Sequence, residues 1–104
     1  MLHYVTSKAG VISFSRAGAR ELGRFGITVN TVSRGLVWND ASRQADSEKK
    51  LSTRSLAEVS RQGRTIQKDL LEHDLVGTII YLYSSDSDIL TGQLINMDGG
   101  GSLY

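Results

Sequence analysis

The sequence predicts an α/β fold, the closing portion of a doubly wound parallel sheet that is incomplete within these residues. Three observations predict it. A long helical pattern without proline runs directly into a stretch of β-branched residues. A second helical pattern leads to a second short apolar run that ends in glycines. Parallel strands need helices between them to bring the chain back to the starting edge, so this alternation belongs to a parallel sheet.

The first helix is expected from about Thr6 to Arg24, where Val11, Ile12, Phe14, Ala19 and Leu22 recur at helical spacings. Ala9, Gly10, Ala17, Gly18 and Ala19 would let another backbone approach closely. Gly23 and Gly26 are its candidate stops. Ile27 to Ser33 follows as a strand, dense in β-branched side chains. Asn39 to Gln67 is polar with sparse apolar positions, which predicts one or two short helices with Gly63 as punctuation. Asp74 is the expected N-cap of a helix over Leu75 to Tyr83, apolar nearly all round and therefore expected to be buried. Ser84 to Asp88 ends that helix, and Gln93 to Met97 reads as a strand closed by Asp98-Gly99-Gly100-Gly101. Two strands do not make a stable sheet alone. The order therefore reads as the tail of a domain whose first strands are missing, with an open edge at Ile27 to Ser33.

Composition narrows the function classes. At 104 residues the chain is one domain at most, and 39% hydrophobic against 22% charged residues is a globular balance. A formal net charge of +1 with no basic stripe argues against nucleic acid or an anionic membrane as partner. No apolar run has the length of a membrane span. Without cysteine there are no disulfides and no thiolate chemistry, which fits a cytoplasmic protein. His3 and His73 stand too far apart to suggest metal ligands.

The chemistry starts in "HYVTSKAG", where Tyr4 and Lys8 are four positions apart. That spacing puts both on one helix face. A free phenol titrates near pH 10. A unit positive charge about 5 Å away, in an effective dielectric of ~20, favours a phenolate by about 3 kcal/mol. Such a pair suits proton transfer opposite a hydride transfer. By itself the spacing is a weak signal, and a surface pair on a solvated helix produces it equally well.

The wider context decides between them. The run "YVTSKAGVISFSRAGARELGRFGITVNTVSRGLV" closely resembles the short-chain dehydrogenase/reductase family, as does "HDLVGTIIYLYSSDSDILTGQLINMDGG" near the other end. The resemblance extends from Leu2 to Gly100 and implies part of a Rossmann-type NAD(P)-binding domain over residues 1–104. It implies an oxidoreductase that interconverts a carbonyl and a secondary alcohol, with NAD or NADP as cofactor and a small molecule as substrate. Homo-oligomers, dimers or tetramers, are the implied assembly. Tyr4 would be the general acid or base, and Lys8 would assist it and bond the nicotinamide ribose. The backbone of Gly35 to Val37 would lie against the nicotinamide, with Val37 bonding its carboxamide. Asn39 stands where the family usually has threonine and would also meet the cofactor. Residues 40–66 fall where the family places its substrate lid.

Other matched positions read as fold. Thr91-Gly92-Gln93 and Asp98-Gly99-Gly100 are expected to be turns, and Asn30 a satisfied buried amide. Arg34 replaces the family's strand-end proline and is expected to point to solvent. Glu72 replaces a second proline, and Tyr83 occupies a position where a small residue is usual, implying local repacking. The family's glycine-rich phosphate turn and its catalytic serine have no counterpart here. Ser7, Ser13 and Ser15 cannot replace that serine, since they share the tyrosine's helix or face away. The sequence therefore predicts that the isolated chain is inactive, or that it acts without catalysis through association with other subunits.

Overall fold

The computed structural model describes residues 1–38 and 56–103. Helix α1 spans Leu2–Leu22 and continues into a 3-10 turn, Gly23–Phe25. Strands β1 (Thr31–Arg34) and β2 (Val37–Trp38) follow. Then come helix α2 (Leu56–Gln62), strand β3 (Leu70–Leu71), helix α3 (Glu72–Tyr83), a 3-10 turn at Ser85–Ser87 and strand β4 (Leu94–Met97). The strands form two small sheets, β1 with β4 and β2 with β3. In the second, Val37 stands opposite Leu70 and Trp38 opposite Leu71, in parallel. In the first, Thr31 N–H donates to Gln93 O and Gly35 N–H to Met97 O. Both partners advance by four residues in the same direction, so this pair is parallel too. The expected α/β class with parallel pairing is observed.

The residues fall into two compact units, Met1–Ser33 with Tyr81–Ile95 and Arg34–Ile80 with Asn96–Tyr104. In the first, α1 turns a narrow stripe of Ile12, Ser15, Gly18 and Ala19 inward, and Ala19 is its one buried side chain. The close approach expected of the small residues occurs here. A Cβ added at Gly92 would lie 3.4 Å from the Ala19 Cβ, and one at Gly18 would lie 3.9 Å from Val29 Cγ2. The α-helix ends at Gly23, one of the two stops expected, but without the left-handed conformation that glycine would allow there. The Gly23 dihedrals are helical, and Gly26, at φ +75°, is where the chain turns left-handed.

The predicted strand from Ile27 is shorter than its β-branched run. Val29 and Asn30 lie beside the other end of the chain, but side chains replace the ladder there. Val29 N–H donates to Thr91 Oγ1 at 3.0 Å and Gly92 N–H donates to Val29 O at 2.7 Å. Asn30 Nδ2 donates to Leu90 O at 2.9 Å, while Asn30 Oδ1 accepts from Gln93 N–H at 3.1 Å. Regular pairing begins only at Thr31. Asn30 is thus the satisfied, half-buried amide that was expected, and Thr91-Gly92-Gln93 is a fold-forming turn.

The expectation for the last helix needs correction. It begins at Glu72, and Asp74 is in its first turn rather than ahead of it. From there the Asp74 carboxylate reaches back and accepts from Leu71 N–H at 2.8 Å, the return half of a capping box. Nor is α3 buried. Leu75, Thr78 and Leu82 form a half-buried stripe, whereas Ile80 is 63% and Tyr83 90% exposed. An all-round apolar helix has only one flank covered here, and Tyr83 forces no repacking. The buried Ser87 finishes the helix, with its hydroxyl within reach of Leu82 O and Ser84 O.

In the second unit, the Asp98 turn is built as predicted. Its carboxylate accepts from Gly100 N–H at 3.0 Å and Ser102 N–H at 2.9 Å. Gly99 and Gly100 take φ of +67° and +78°, a left-handed geometry that glycine alone adopts without strain. Ile66 N–H donates to Gly99 O and Thr65 Oγ1 to Gly100 O, so the turn is tied to the chain after α2.

Candidate active site

Tyr4 and Lys8 are one turn apart within α1, as their spacing requires. The Lys8 ammonium lies over the Tyr4 ring, 5.6 Å from its centroid. Tyr4 is 55% exposed and Lys8 is exposed as well. A positive charge near a phenol favours its anion more strongly where water is excluded than where both groups are solvated. The pair's donors are free of competing local roles in a way the nearby hydroxyls are not. Ser7 Oγ donates to Tyr4 O and Ser15 Oγ to Val11 O, which commits both to their own helix backbone.

Gly35 and Val37 belong to the other compact unit. Gly35 follows β1, and its N–H donates to Met97 O at 3.3 Å. It has room for no side chain without displacement, since an added Cβ would lie 3.3 Å from Asp98 Cβ and 3.4 Å from Arg64 Nη2. Val37 opens β2 and is the best-buried apolar side chain among the described residues of its unit, 9% exposed. Arg34 is exposed as expected, and its Nη1 donates to Gly35 O at 3.1 Å. Asn39 lies outside the described residues. So does most of the 40–66 segment, of which helix α2 is the described part.

A residue that sequence reasoning missed is Arg64, 7% exposed. Its Nη1 donates to Lys68 O at 2.7 Å; its Nη2 donates to Leu36 O at 2.8 Å and to Ser60 Oγ at 2.9 Å. The one local signal was Gly63, which marks the end of α2 and says nothing of the arginine after it. A cleft of about 240 Å³ lies beside it, lined in part by Ile66, Leu70, Met97 and Gly99. Tyr4, Lys8, Gly35 and Val37 are not among its lining residues, and it is smaller than the roughly 300–1,000 Å³ usual for ligand pockets. Among the described residues no cluster of histidine and carboxylate side chains could hold a metal, and no helix is long and apolar enough to cross a membrane.

Comparison with known proteins extends this geometry. A family model described as enoyl-(acyl carrier protein) reductase matches residues 1–102. The 3-oxoacyl-(acyl-carrier-protein) reductase FabG of Staphylococcus aureus strain N315 is 34% identical over 98 residues, 94% of this chain. The chain spans 37% of that relative's length. Among solved structures, 4-hydroxyisoleucine dehydrogenase complexed with NADH superposes with a TM-score of 0.80 at 27% identity, over 95% of this chain and 39% of the other. A variant of a Serratia marcescens short-chain dehydrogenase/reductase matches with a TM-score of 0.79 at 27% identity, over 96% of this chain and 38% of the other. These neighbours are Rossmann-type α/β proteins, and the present fold corresponds to part of such a domain.

Proposed function

The chain belongs to the short-chain dehydrogenase/reductase family, and from that premise we propose that it works in the NAD(P)-dependent interconversion of a carbonyl and a secondary alcohol. The observation that carries the reading is the placement of Tyr4 and Lys8 one turn apart, with the ammonium over the phenol ring and both exposed. Tyr4 gives a proton to the substrate oxygen in reduction and takes it back in oxidation. Lys8 stabilises the negative charge that passes through the phenol oxygen, and its remaining donors bond a ribose hydroxyl. The donor set fits that role, since an ammonium offers three N–H groups, enough for a phenol oxygen and a ribose hydroxyl together. The nicotinamide, when bound, supplies or accepts the hydride. As the family resemblance implies, the backbone of Gly35 to Val37 meets its ring, and Asn39, two residues after Val37, also contacts the cofactor. The NADH held by the dehydrogenase neighbour supports this choice of cofactor.

The test is a pair of substitutions in the chain joined to the first half of a Rossmann-type domain, read in two assays, nicotinamide fluorescence for binding and NAD(P)H consumption with carbonyl compounds for turnover. Tyr4→Phe keeps the ring and removes the proton. It lowers turnover by about 10²–10⁴-fold and leaves cofactor affinity little changed. Lys8→Met weakens both. Turnover retained in the Tyr4→Phe protein would remove Tyr4 from the mechanism.

A further inference from the structure

Arg64 is the most deeply buried cation among the described residues, yet the oxygens it meets are neutral. They are two backbone carbonyls, of Leu36 and Lys68, and the Ser60 hydroxyl. Two glycines open the slot in which it lies. An added Cβ would stand 3.4 Å from Nη2 at Gly35 and 3.2 Å from Cδ at Gly99. A buried guanidinium is costly unless its donors are met, and its planar fork meets them only in fixed directions. The three oxygens are therefore held in one arrangement relative to each other.

Leu36 O is the informative partner. It belongs to the peptide that joins Leu36 to Val37, in the middle of the Gly35 to Val37 backbone. A trans peptide is a rigid plane in which C=O and N–H point in opposite directions. Fixing the direction of the Leu36 carbonyl fixes the plane and the side towards which Val37 N–H faces. The same Nη2 also holds Ser60 of α2, the described part of the segment expected to cover substrate.

We infer that Arg64 is a positioning residue for the cofactor-facing backbone: its grip on Leu36 O sets the Leu36–Val37 peptide plane and, through Ser60, ties that plane to α2. The link to cofactor rests on the function proposed above; the grip itself does not. Movement of α2 is then transmitted to the peptide that meets the nicotinamide.

Hydrogen exchange on the complete chain tests the grip. Arg64→Lys keeps the charge and loses the fork. It accelerates exchange at residues 35–38 and 64–70 by about tenfold and leaves α1 unchanged. Ser60→Ala accelerates α2 alone. Unchanged exchange at 35–38 in Arg64→Lys overturns the inference. So does uniform acceleration that includes α1, the mark of a residue that only adds stability. If Arg64→Lys fails to fold, the wild-type chain decides by NMR. Slowly exchanging Arg64 Nη protons with coupling across the hydrogen bond to the Leu36 carbonyl carbon support the grip, and fast exchange without that coupling refutes it. A nicotinamide titration then tests the consequence. Arg64→Lys weakens binding about tenfold, and equal binding by the two proteins refutes the positioning role. A wild-type chain that binds no nicotinamide counts against the proposed function, while the exchange data still decide whether Arg64 holds Leu36.

Discussion

Replacing Asn30 by aspartate changes one group in the junction between the start of β1 and the start of β4. In the native chain the Asn30 amide donates to Leu90 O at 2.9 Å and accepts from Gln93 N–H at 3.1 Å. A carbonyl can only accept and an N–H can only donate, so these partners fix which way the amide faces. Aspartate has the same shape. It keeps the acceptor towards Gln93 but turns an anionic oxygen towards the Leu90 carbonyl. The lost hydrogen bond and the desolvated, unpaired oxygen together cost about 2 kcal/mol, within the ~1–3 kcal/mol range for a buried partner left unmatched. That is a factor of roughly 30 in the folding equilibrium. Urea unfolding followed by far-ultraviolet circular dichroism measures it, with the midpoint lowered and the slope unchanged. The penalty depends on pH with a definite sign. The proton that restores a donor towards Leu90 is held more tightly in the folded variant than in the unfolded chain. The folded state then binds more protons, so the variant's deficit shrinks as pH falls and is full at neutral pH. Asn30→Ala, which has nothing to protonate, shows no such recovery. An Asn30→Asp chain as stable as the wild type at neutral pH would refute the assigned bonding.

Two further outcomes are expected. Gly100→Ala destabilises by more than the ~1–2 kcal/mol of a left-handed alanine. The added Cβ would also lie 2.8 Å from both Cβ and Oγ1 of Thr65. Adding Thr65→Ala does not rescue it, because the Thr65 Cβ is itself one of the clashing atoms; both are read as unfolding midpoints. Asp74→Ala removes the carboxylate that accepts from Leu71 N–H and costs about 0.5–2 kcal/mol, measured the same way, while Asp74→Asn keeps an acceptor and loses less.

Legibility in the sequence followed the range of the interactions. Helix α1, the Gly26 turn and the Asp98-Gly99-Gly100 turn depend on neighbours a few residues away, and each was readable. Asn30 was readable as a satisfied amide but its partners were not, since they lie 60 and 63 residues along the chain. The β-branched run from Ile27 overstated the strand, because propensity cannot foresee that Thr91 and Asn30 side chains take the place of ladder bonds. Leu75 to Tyr83 was read as buried from its composition. Composition records which side chains favour burial, whereas the structure shows which ones have neighbours, here the Leu75, Thr78 and Leu82 stripe. Of the candidate site, the spacing of Tyr4 and Lys8 was explicit in the sequence. Arg64 was not, because a buried cation that binds carbonyl oxygens uses partners every residue possesses and leaves no pattern.

The junction of β1 with β4 also has a consequence for how the protein is made. Contacts between residues about 60 apart are costly to close and late to form. On the ribosome, α1 and the start of β1 emerge well before Leu90 to Met97 have been synthesised. During that interval the inward stripe of α1 and the unpaired edge of β1 stay open to other chains, as in any nascent domain whose pairing strand is made later. Chaperone demand and losses in expression should therefore depend more on how quickly translation passes the eighties and nineties of the sequence than on changes within α1.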